Sequence, residues 1–440
     1  MKLSIKNFAK IKEADIIVDG ITVIAGENNT GKSTVGKILF SLFNSLSNLD
    51  EKIFEERLNE IESTNRMIIH NYISGTEVTR NMGLRLAINI SKRINVQIKN
   101  ELEVNDTISN DVIFGVVEKA IKSLWNVSED GVQDDRSDMI EEIYENTNEI
   151  LKLPENNIVL EIVSRYFNSV FHSQIESLTV DENADTSLVL EIKGKIENLT
   201  FKNNYCKMLN DNVKLIHKAI YIDNPFVIDE LSFDGYGVTN PMNAFLVSLL
   251  KTKEQEGVMD GVIEAVRTKE KLGDVYRTLQ SVVDGEIVFN QSNEEYYLKN
   301  NDFNEPISFH NLSTGMKSFV ILKMLLEKGC LKDKDVVILD EPEIHLHPQW
   351  QIAYAELIVL LQKHFDLTVV VTTHSPYFVD AINLFSCKYG TDSKVNYYLS
   401  SNNANAVTME CVTEKIDLIY KKMASPIQML DTLRYELNNN

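Results

Sequence analysis

The feature that most restricts what this chain can become is a short glycine-bearing segment, Gly26-Glu27-Asn28-Asn29-Thr30-Gly31-Lys32-Ser33. It follows an apolar strand-like run, Ile21-Thr22-Val23-Ile24-Ala25, and precedes Val35, Ile38, Leu39 and Leu42, which recur at helical spacing. The segment fits GxxxxGK[ST], in which backbone N–H groups wrap phosphates, the lysine reaches the β and γ oxygens, and the hydroxyl takes Mg²⁺. A helix that starts at once adds its N-terminal dipole. On average residue usage such a match arises on the order of once in tens of thousands of positions, and the strand–loop–helix context makes chance rarer still. Gly26, Asn28, Asn29, Thr30, Gly31, Lys32, Ser33 and Thr34 are therefore the expected nucleotide-binding residues, and the fold class is α/β.

A second run, Val336-Val337-Ile338-Leu339-Asp340-Glu341-Pro342, has the continuous apolar character of a strand buried on both faces and ends in two carboxylates. Asp340 is placed to hold Mg²⁺ together with Ser33. Glu341, one residue further on, is placed to orient and deprotonate an attacking water. A salt-bridged pair on a loop is the bland alternative; the apolar run and the phosphate loop together argue against it.

A third segment, Asn311-Leu312-Ser313-Thr314-Gly315-Met316-Lys317, leads into Phe319, Val320, Leu322 and Leu325 at helical spacing, and Thr372-Thr373-His374-Ser375-Pro376 follows the apolar strand Thr368 to Val371. In this order the segments resemble ABC ATPases: phosphate loop, signature, paired acids, switch histidine. The resemblance implies an ABC ATPase head, with a mixed sheet around a P-loop core and a largely helical insertion. It also implies that Ser313 and Gly315 face the γ-phosphate of ATP bound by a second subunit, that His374 contacts a γ-phosphate beside Glu341, and that the working unit is a homodimer or higher homo-oligomer. Within that superfamily, KLSIKNFAKIKEADIIV ahead of the phosphate loop is similar to the SMC and RecF group. EPEIHLHPQWQ and TTHSPYFVDAI resemble the ATPases of the OLD (overcoming lysogenization defect) family. His345 and His347 imitate a metal-ligand run, but the resemblance places them in a loop that meets its twin across the dimer, and no third ligand set accompanies them. Gln97 and Gln133 are the weak candidates for the glutamine that ABC proteins use beside Mg²⁺.

The rest of the chain sets the expected organisation: an N-terminal part of the head over 1–46, a mainly helical insertion over 47–185, and the C-terminal part of the head over 186–440. The insertion shows apolar stripes, such as Val117, Ala120, Ile121 and Leu124, while Leu84 to Ile98 alternates and leaves helix and strand both open. Ser128 to Asp138 reads as an acidic loop. Strands are expected over Leu188–Ile192, Ile196–Phe201 and Ala219–Ile222, helices over Asn240–Leu250 and Val258–Leu279, and hairpins over Gly285–Lys299 and Val395–Val412, before a helical stretch with Ile427, Leu430 and Leu433.

Composition narrows the function. Net charge is −21 over 440 residues, so only a local basic groove offers a route to nucleic acid. No apolar run reaches the ~18 residues of a membrane span, and the N-terminus lacks a secretory pattern, so no membrane partner and a cytoplasmic location are expected. Cys206, Cys330, Cys387 and Cys411 have no CxxC spacing. Toprim nucleases follow the ATPase in OLD proteins, whereas the stretch after Ala381 carries no DxD pair. The resemblance then implies an ATPase that regulates a separate effector nuclease or toxin, as in bacterial antiphage systems such as Septu, PARIS and certain retrons. The competing expectation is a RecF/SMC-like repair ATPase that clamps DNA when ATP joins two heads.

Overall fold

A computed structural model of the protein describes residues 1–74, 80–105, 107–124, 134–177, 185–210, 215–232, 240–251, 272–300, 304–403 and 406–439. The chain divides into two compact units, one of Met1–Ser47 with Ile162–Asn440 and one of Asn48–Glu161.

The first unit is built on an eleven-stranded sheet in the order β6-β5-β4-β1-β2-β14-β13-β3-β12-β11-β7. The strands are β1 (Lys2–Phe8), β2 (Ile11–Ile17), β3 (Ile21–Gly26), β4 (Thr186–Ile192), β5 (Lys195–Lys202), β6 (Tyr205–Leu209), β7 (Ala219–Ile222), β8 (Glu286–Asn290), β9 (Glu295–Lys299), β10 (Ile307–Ser308), β11 (Val336–Asp340), β12 (Thr368–Thr373), β13 (Val395–Asn403) and β14 (Ala406–Cys411). From β13 to β7 every pairing is parallel. From β6 to β2 every pairing is antiparallel. β14 joins the halves, antiparallel to β13 and parallel to β2. The expected hairpin at 285–299 is β8 with β9, and β10 extends it to a separate three-stranded sheet.

Twelve helices among the described residues are labelled here. They are α1 (Lys32–Leu46), α2 (Leu49–Ser74), α3 (Arg80–Val104), α4 (Asn110–Leu124), α5 (Asp134–Lys152), α6 (Glu155–Phe171), α7 (Pro241–Lys251), α8 (Gly273–Gln280), α9 (Thr314–Glu327), α10 (Pro348–Phe365), α11 (Pro376–Tyr389) and α12 (Asp417–Asn439). α1 lies against the parallel strands so closely that a Cβ on Gly36 would stand 2.7 Å from Ile338 Cγ2 and 3.1 Å from the Tyr221 ring. Glycine there lets the helix approach the sheet.

The second unit is helical. Leu58, Ile61 and Ile69 of α2, Ala87, Ile90, Ile94 and Ile98 of α3, Val117 and Ile121 of α4 and Ile143 of α5 form its core. A polar knot sits inside it: Asn65 Nδ2 donates to Thr147 Oγ1 at 3.0 Å and Asn146 Nδ2 donates to Asn65 Oδ1 at 2.9 Å.

One open alternative is resolved, and two expectations differ from the structure. Leu84 to Ile98 is helical: Ala87, Ile90, Ile94 and Ile98 are buried at helical spacing, whereas Leu84 and Val96 point outward. Asp134 to Asp138 open α5 instead of a loop; the remainder of the expected acidic loop, like the Val258–Leu279 helix before residue 272, lies outside the described residues. The helical unit ends at Glu161 rather than 185. The reason is aromatic: Phe167 and Phe171 at the end of α6 pack with Phe8 and Phe201, with ring centroids 4.9 Å apart for Phe8–Phe171 and 4.8 Å for Phe167–Phe201.

Candidate functional site

Parallel pairing in register makes strands end together. Thr373 stands opposite Ala25, and Asp340 opposite Thr372, so the loops after β3, β11 and β12 leave the sheet side by side. This is where open parallel sheets bind ligands.

The loop after β3 is shaped by left-handed residues at Asn29 (φ 63°) and Gly31 (φ 74°). A Cβ on Gly26 would lie 2.5 Å from Ser400 O, and one on Gly31 3.3 Å from both Ile11 and Val407, so larger residues fit neither place. Gly31 is the N-cap of α1, no side chain caps that helix, and its first turn carries no acid. Three other helices of the same unit are capped by a side chain: Ser313 on α9, His347 on α10 and Ser375 on α11. The open N-terminus of α1 is the arrangement that suits an anion. Lys32 is buried there. Its Nζ donates to Gly26 O at 3.1 Å and Glu27 O at 2.8 Å and pairs with Glu341 Oε1 at 3.3 Å. Asn28 is exposed beside it, Asn29 Oδ1 accepts from Lys10 Nζ at 2.6 Å, and Thr30 Oγ1 donates to Glu27 O at 2.7 Å.

Asp340 is the hub of the second cluster. Its Oδ1 accepts from Ser33 Oγ at 2.9 Å and from Thr372 Oγ1, and its Oδ2 accepts from Tyr221 Oη at 2.5 Å. Tyr221 is buried on β7, and burial, then the Asp340 charge, holds its phenol far above the usual range, so it stays a donor. Just past the end of that strand, Asp223 has its carboxyl pushed up, by burial first and then by Asp340. A hydroxyl and a carboxylate already in contact are oxygen ligands of the kind Mg²⁺ favours.

Glu341 adopts a left-handed backbone (φ 50°), a conformation that costs a residue with a side chain about 1–2 kcal/mol. Its N–H, donating to Thr372 O at 3.0 Å and Thr372 Oγ1 at 3.1 Å, holds the turn. The side chain spans two partners, Lys32 through Oε1 and His374 Nδ1, 3.7 Å from Oε2. The same Nδ1 lies 3.4 Å from Glu343 Oε1, which also accepts from Thr373 Oγ1 at 2.6 Å and His374 N at 2.7 Å. Burial pushes the Glu343 carboxyl up, while the bonds from Thr373 and the His374 main chain pull it down.

Ser313 caps α9 through a bond from Met316 N at 3.4 Å. Gly315 meets Trp350: an added Cβ would stand 2.7 Å from the indole. Lys317, also buried, donates to Asp229 Oδ1 at 2.6 Å and Oδ2 at 2.5 Å, from the 3₁₀ segment Pro225–Ser232. The ammonium sits 5.1 Å from the Phe226 ring centroid. His347 Nδ1 accepts from Gln349 N at 3.4 Å, and His345 packs edge-on to Phe226, so each has a packing or capping role. Gln97 lies on α3 in the helical unit and Gln133 lies outside the described residues, whereas Tyr221 of β7 bonds to Asp340 and Asp223, just past that strand, feels its charge.

A family model described as "AAA domain, putative AbiEii toxin, Type IV TA system" matches residues 21–380. The chain is 33% identical over 113 residues to the ribosome protection protein VmlR of Bacillus subtilis (strain 168), which is 24% of this chain and 19% of VmlR. It is 37% identical over 92 residues to the Septu protein PtuA of Bacillus thuringiensis, which is 18% of this chain and 22% of PtuA. The chain thus spans about a fifth of the length of these curated relatives. Among solved structures, the SMC head domain from Thermotoga maritima is 12% identical, with 93% of this chain and 98% of that one covered at a TM-score of 0.38. The SmcHead bound to the C-winged helix domain of ScpA is also 12% identical, with coverage of 93% and 97% and a TM-score of 0.41. No described helix is long and apolar enough to cross a membrane. With the family model running from the strand before the phosphate loop past His374, the chain belongs to this AAA-domain family.

Proposed function

We propose that the protein binds and hydrolyses ATP at sites shared between two copies of the chain, and uses that cycle to control a separate effector nuclease or toxin. The observation that carries the reading is the convergence of Lys32, Ser33, Asp340, Glu341 and His374 where β3, β11 and β12 end. Phosphate entering the loop after β3 would take over Lys32 from Glu341 and the two loop carbonyls, and thereby release Glu341. Its free carboxylate accepts a proton from water, and His374 stands beside it to contact the γ-phosphate. Ser33 and Asp340 are the residues that would hold Mg²⁺, which when bound neutralises charge on the β and γ oxygens. Ser313 and Gly315, at the start of α9, are assigned to the partner's γ-phosphate on the resemblance to ABC proteins.

A toxin–antitoxin or defence setting is supported by the family's description, which names a type IV toxin–antitoxin system, and by the similarity to the Septu protein PtuA; control of a separate effector rests on the resemblance to stand-alone OLD-like ATPases. The charge of −21 weighs against a DNA clamp.

Two mixtures test the reading. A Ser313→Arg chain combined with a Lys32→Ala chain yields heterodimers with one doubly damaged and one intact site, so ATPase activity should return on mixing. Activity that stays at the level of the separate variants, with heterodimers demonstrated by tagged pull-down, sinks the shared site. The second mixture is the protein co-expressed with the products of its neighbouring genes: co-purification of a nuclease or toxin supports the effector role, and ATP-dependent, salt-sensitive binding of duplex DNA instead supports a clamp.

A further inference from the structure

Glu343 is a buried carboxylate that the reading above does not use. Only 3% of its surface is exposed, and Oε2 is buried without a hydrogen-bond partner among the described residues. Such a group costs about 1–3 kcal/mol, more when charged, and calls for an explanation. The other oxygen of the same carboxylate, Oε1, faces Thr373 and His374. The Glu343 main chain is pinned: its carbonyl accepts from Leu346 N at 3.0 Å and from Gln351 Nε2 at 3.4 Å. Gln351 is fixed in turn by Ser375 Oγ, which donates to Gln351 Oε1 at 2.7 Å. The side chain is fixed too, by Thr373 Oγ1 and His374 N on Oε1. This immobile oxygen lies 3.4 Å from His374 Nδ1, nearer than Glu341 Oε2 at 3.7 Å.

We propose that Glu343 is a positioning residue for His374: it holds the ring's Nδ1–H, so that Nε2 is the nitrogen presented to phosphate and Glu341 keeps its carboxylate free. The inference rests on the ATP-hydrolysing reading of the site. An Nδ1–H has one bond to give, and two carboxylates stand within reach of it. If it went to Glu341, the group assigned as base would be tied to the imidazole. Glu343, whose Oε1 is fixed by Thr373 Oγ1 and His374 N, takes the bond by a small approach from 3.4 Å, whereas Glu341 must also release Lys32. A glutamine at 343 would still accept from Thr373 and His374 N, which preserves the local fold. It would lack the charge that makes a bond from a ring N–H about twice as strong as a neutral one.

The test is a double-mutant cycle of Glu343→Gln and His374→Ala, read as single-turnover hydrolysis with enzyme in excess, alongside ATP affinity. In the otherwise unchanged protein, Glu343→Gln should slow turnover by roughly tenfold to a hundredfold, the usual cost of removing a partner that orients a functional imidazole. ATP affinity should stay within about twofold. In the His374→Ala background the same change should cost nothing further. Equal losses in both backgrounds, or no loss in either, overturn the inference. A His374→Ala chain that turns over normally instead removes the role assigned to His374, and this inference with it. A direct measurement accompanies the kinetics: ¹⁵N spectra of the imidazoles, with the His374 signal among the eight histidines identified by its loss in His374→Ala, should show Nδ1 protonated and Glu343→Gln shifting that proton towards Nε2. An unchanged tautomer in Glu343→Gln also overturns the proposal.

Discussion

The two halves of the large sheet obey different rules. On the antiparallel side, β1, β2, β4 and β5 alternate buried with exposed or half-buried residues, as strands with one covered face do. On the parallel side, β3 and β7 are buried throughout, and β11 and β12 all but throughout. Antiparallel neighbours end at opposite edges, so their loops scatter. Parallel neighbours end at one edge, and there Lys32, Asp340, Glu341 and His374 gather. One half of the sheet is organised for chemistry, the other for support, and substitutions should separate the two.

The largest separation should come from Glu341→Gln. Removing the base while keeping its shape should cut turnover by roughly 10²–10⁴-fold, with ATP affinity and melting temperature near those of the unaltered protein. Normal phosphate release by that variant would return Glu341 to a merely structural place. The counterpart on the other half is Phe201→Ala, which empties the centre of the Phe8–Phe167–Phe201 cluster. It should cost about 3–5 kcal/mol in a denaturant titration while leaving the ATP affinity of the folded fraction unchanged. Loss of affinity without loss of stability would break the division of labour.

Gly36→Ala lies between these cases. Its methyl would press on Ile338 and Tyr221, and therefore on the strand ending in Asp340. A stability loss of about 1–3 kcal/mol is expected, with a higher Mg²⁺ requirement for turnover; a stability loss alone would place the strain outside the Asp340 cluster. Asp15→Asn should have the smallest effect, within about 0.5 kcal/mol at neutral pH, as for other exposed pairs. The Ser4 hydroxyl first, and Lys2 with it, hold the Asp15 carboxyl below its ordinary range. A depressed pKa contributes stability above the unfolded pKa that fades as pH falls through the folded one, so the variant should differ from the parent least in strong acid. A larger gap at low pH would reverse that sign.

The parallel half was the more legible in the sequence, because each of its functional residues directly follows an apolar run. Ile21–Ala25, Val336–Leu339 and Thr368–Val371 each point to the loop that matters, and a loop so short leaves its residues little freedom of place. What escaped was set by tertiary neighbours. Tyr221 reads as one more apolar strand residue until β7 pairs with β11 and brings its hydroxyl to Asp340. Glu343, in a run of charged and polar residues, is drawn inward by Thr373 and His374 at the end of β12. Its signal in the sequence is its place two residues after Glu341 and ahead of Leu346, which is also buried. Leu84–Ile98 stayed open because its apolar residues satisfy both periods, and only packing with α2 and α4 decides which of them are buried.

The stretch from Tyr221 to Asp229 has a mechanical consequence. At one end a phenol grips Asp340; eight residues on, a carboxylate grips Lys317 at the head of α9. Between them Pro225, Val227 and Ile228 are buried and Pro225–Ser232 is wound into a 3₁₀ turn, so the link has little slack. A tug on α9 would therefore be felt at Asp340, as a taut line carries a pull from one hand to the other.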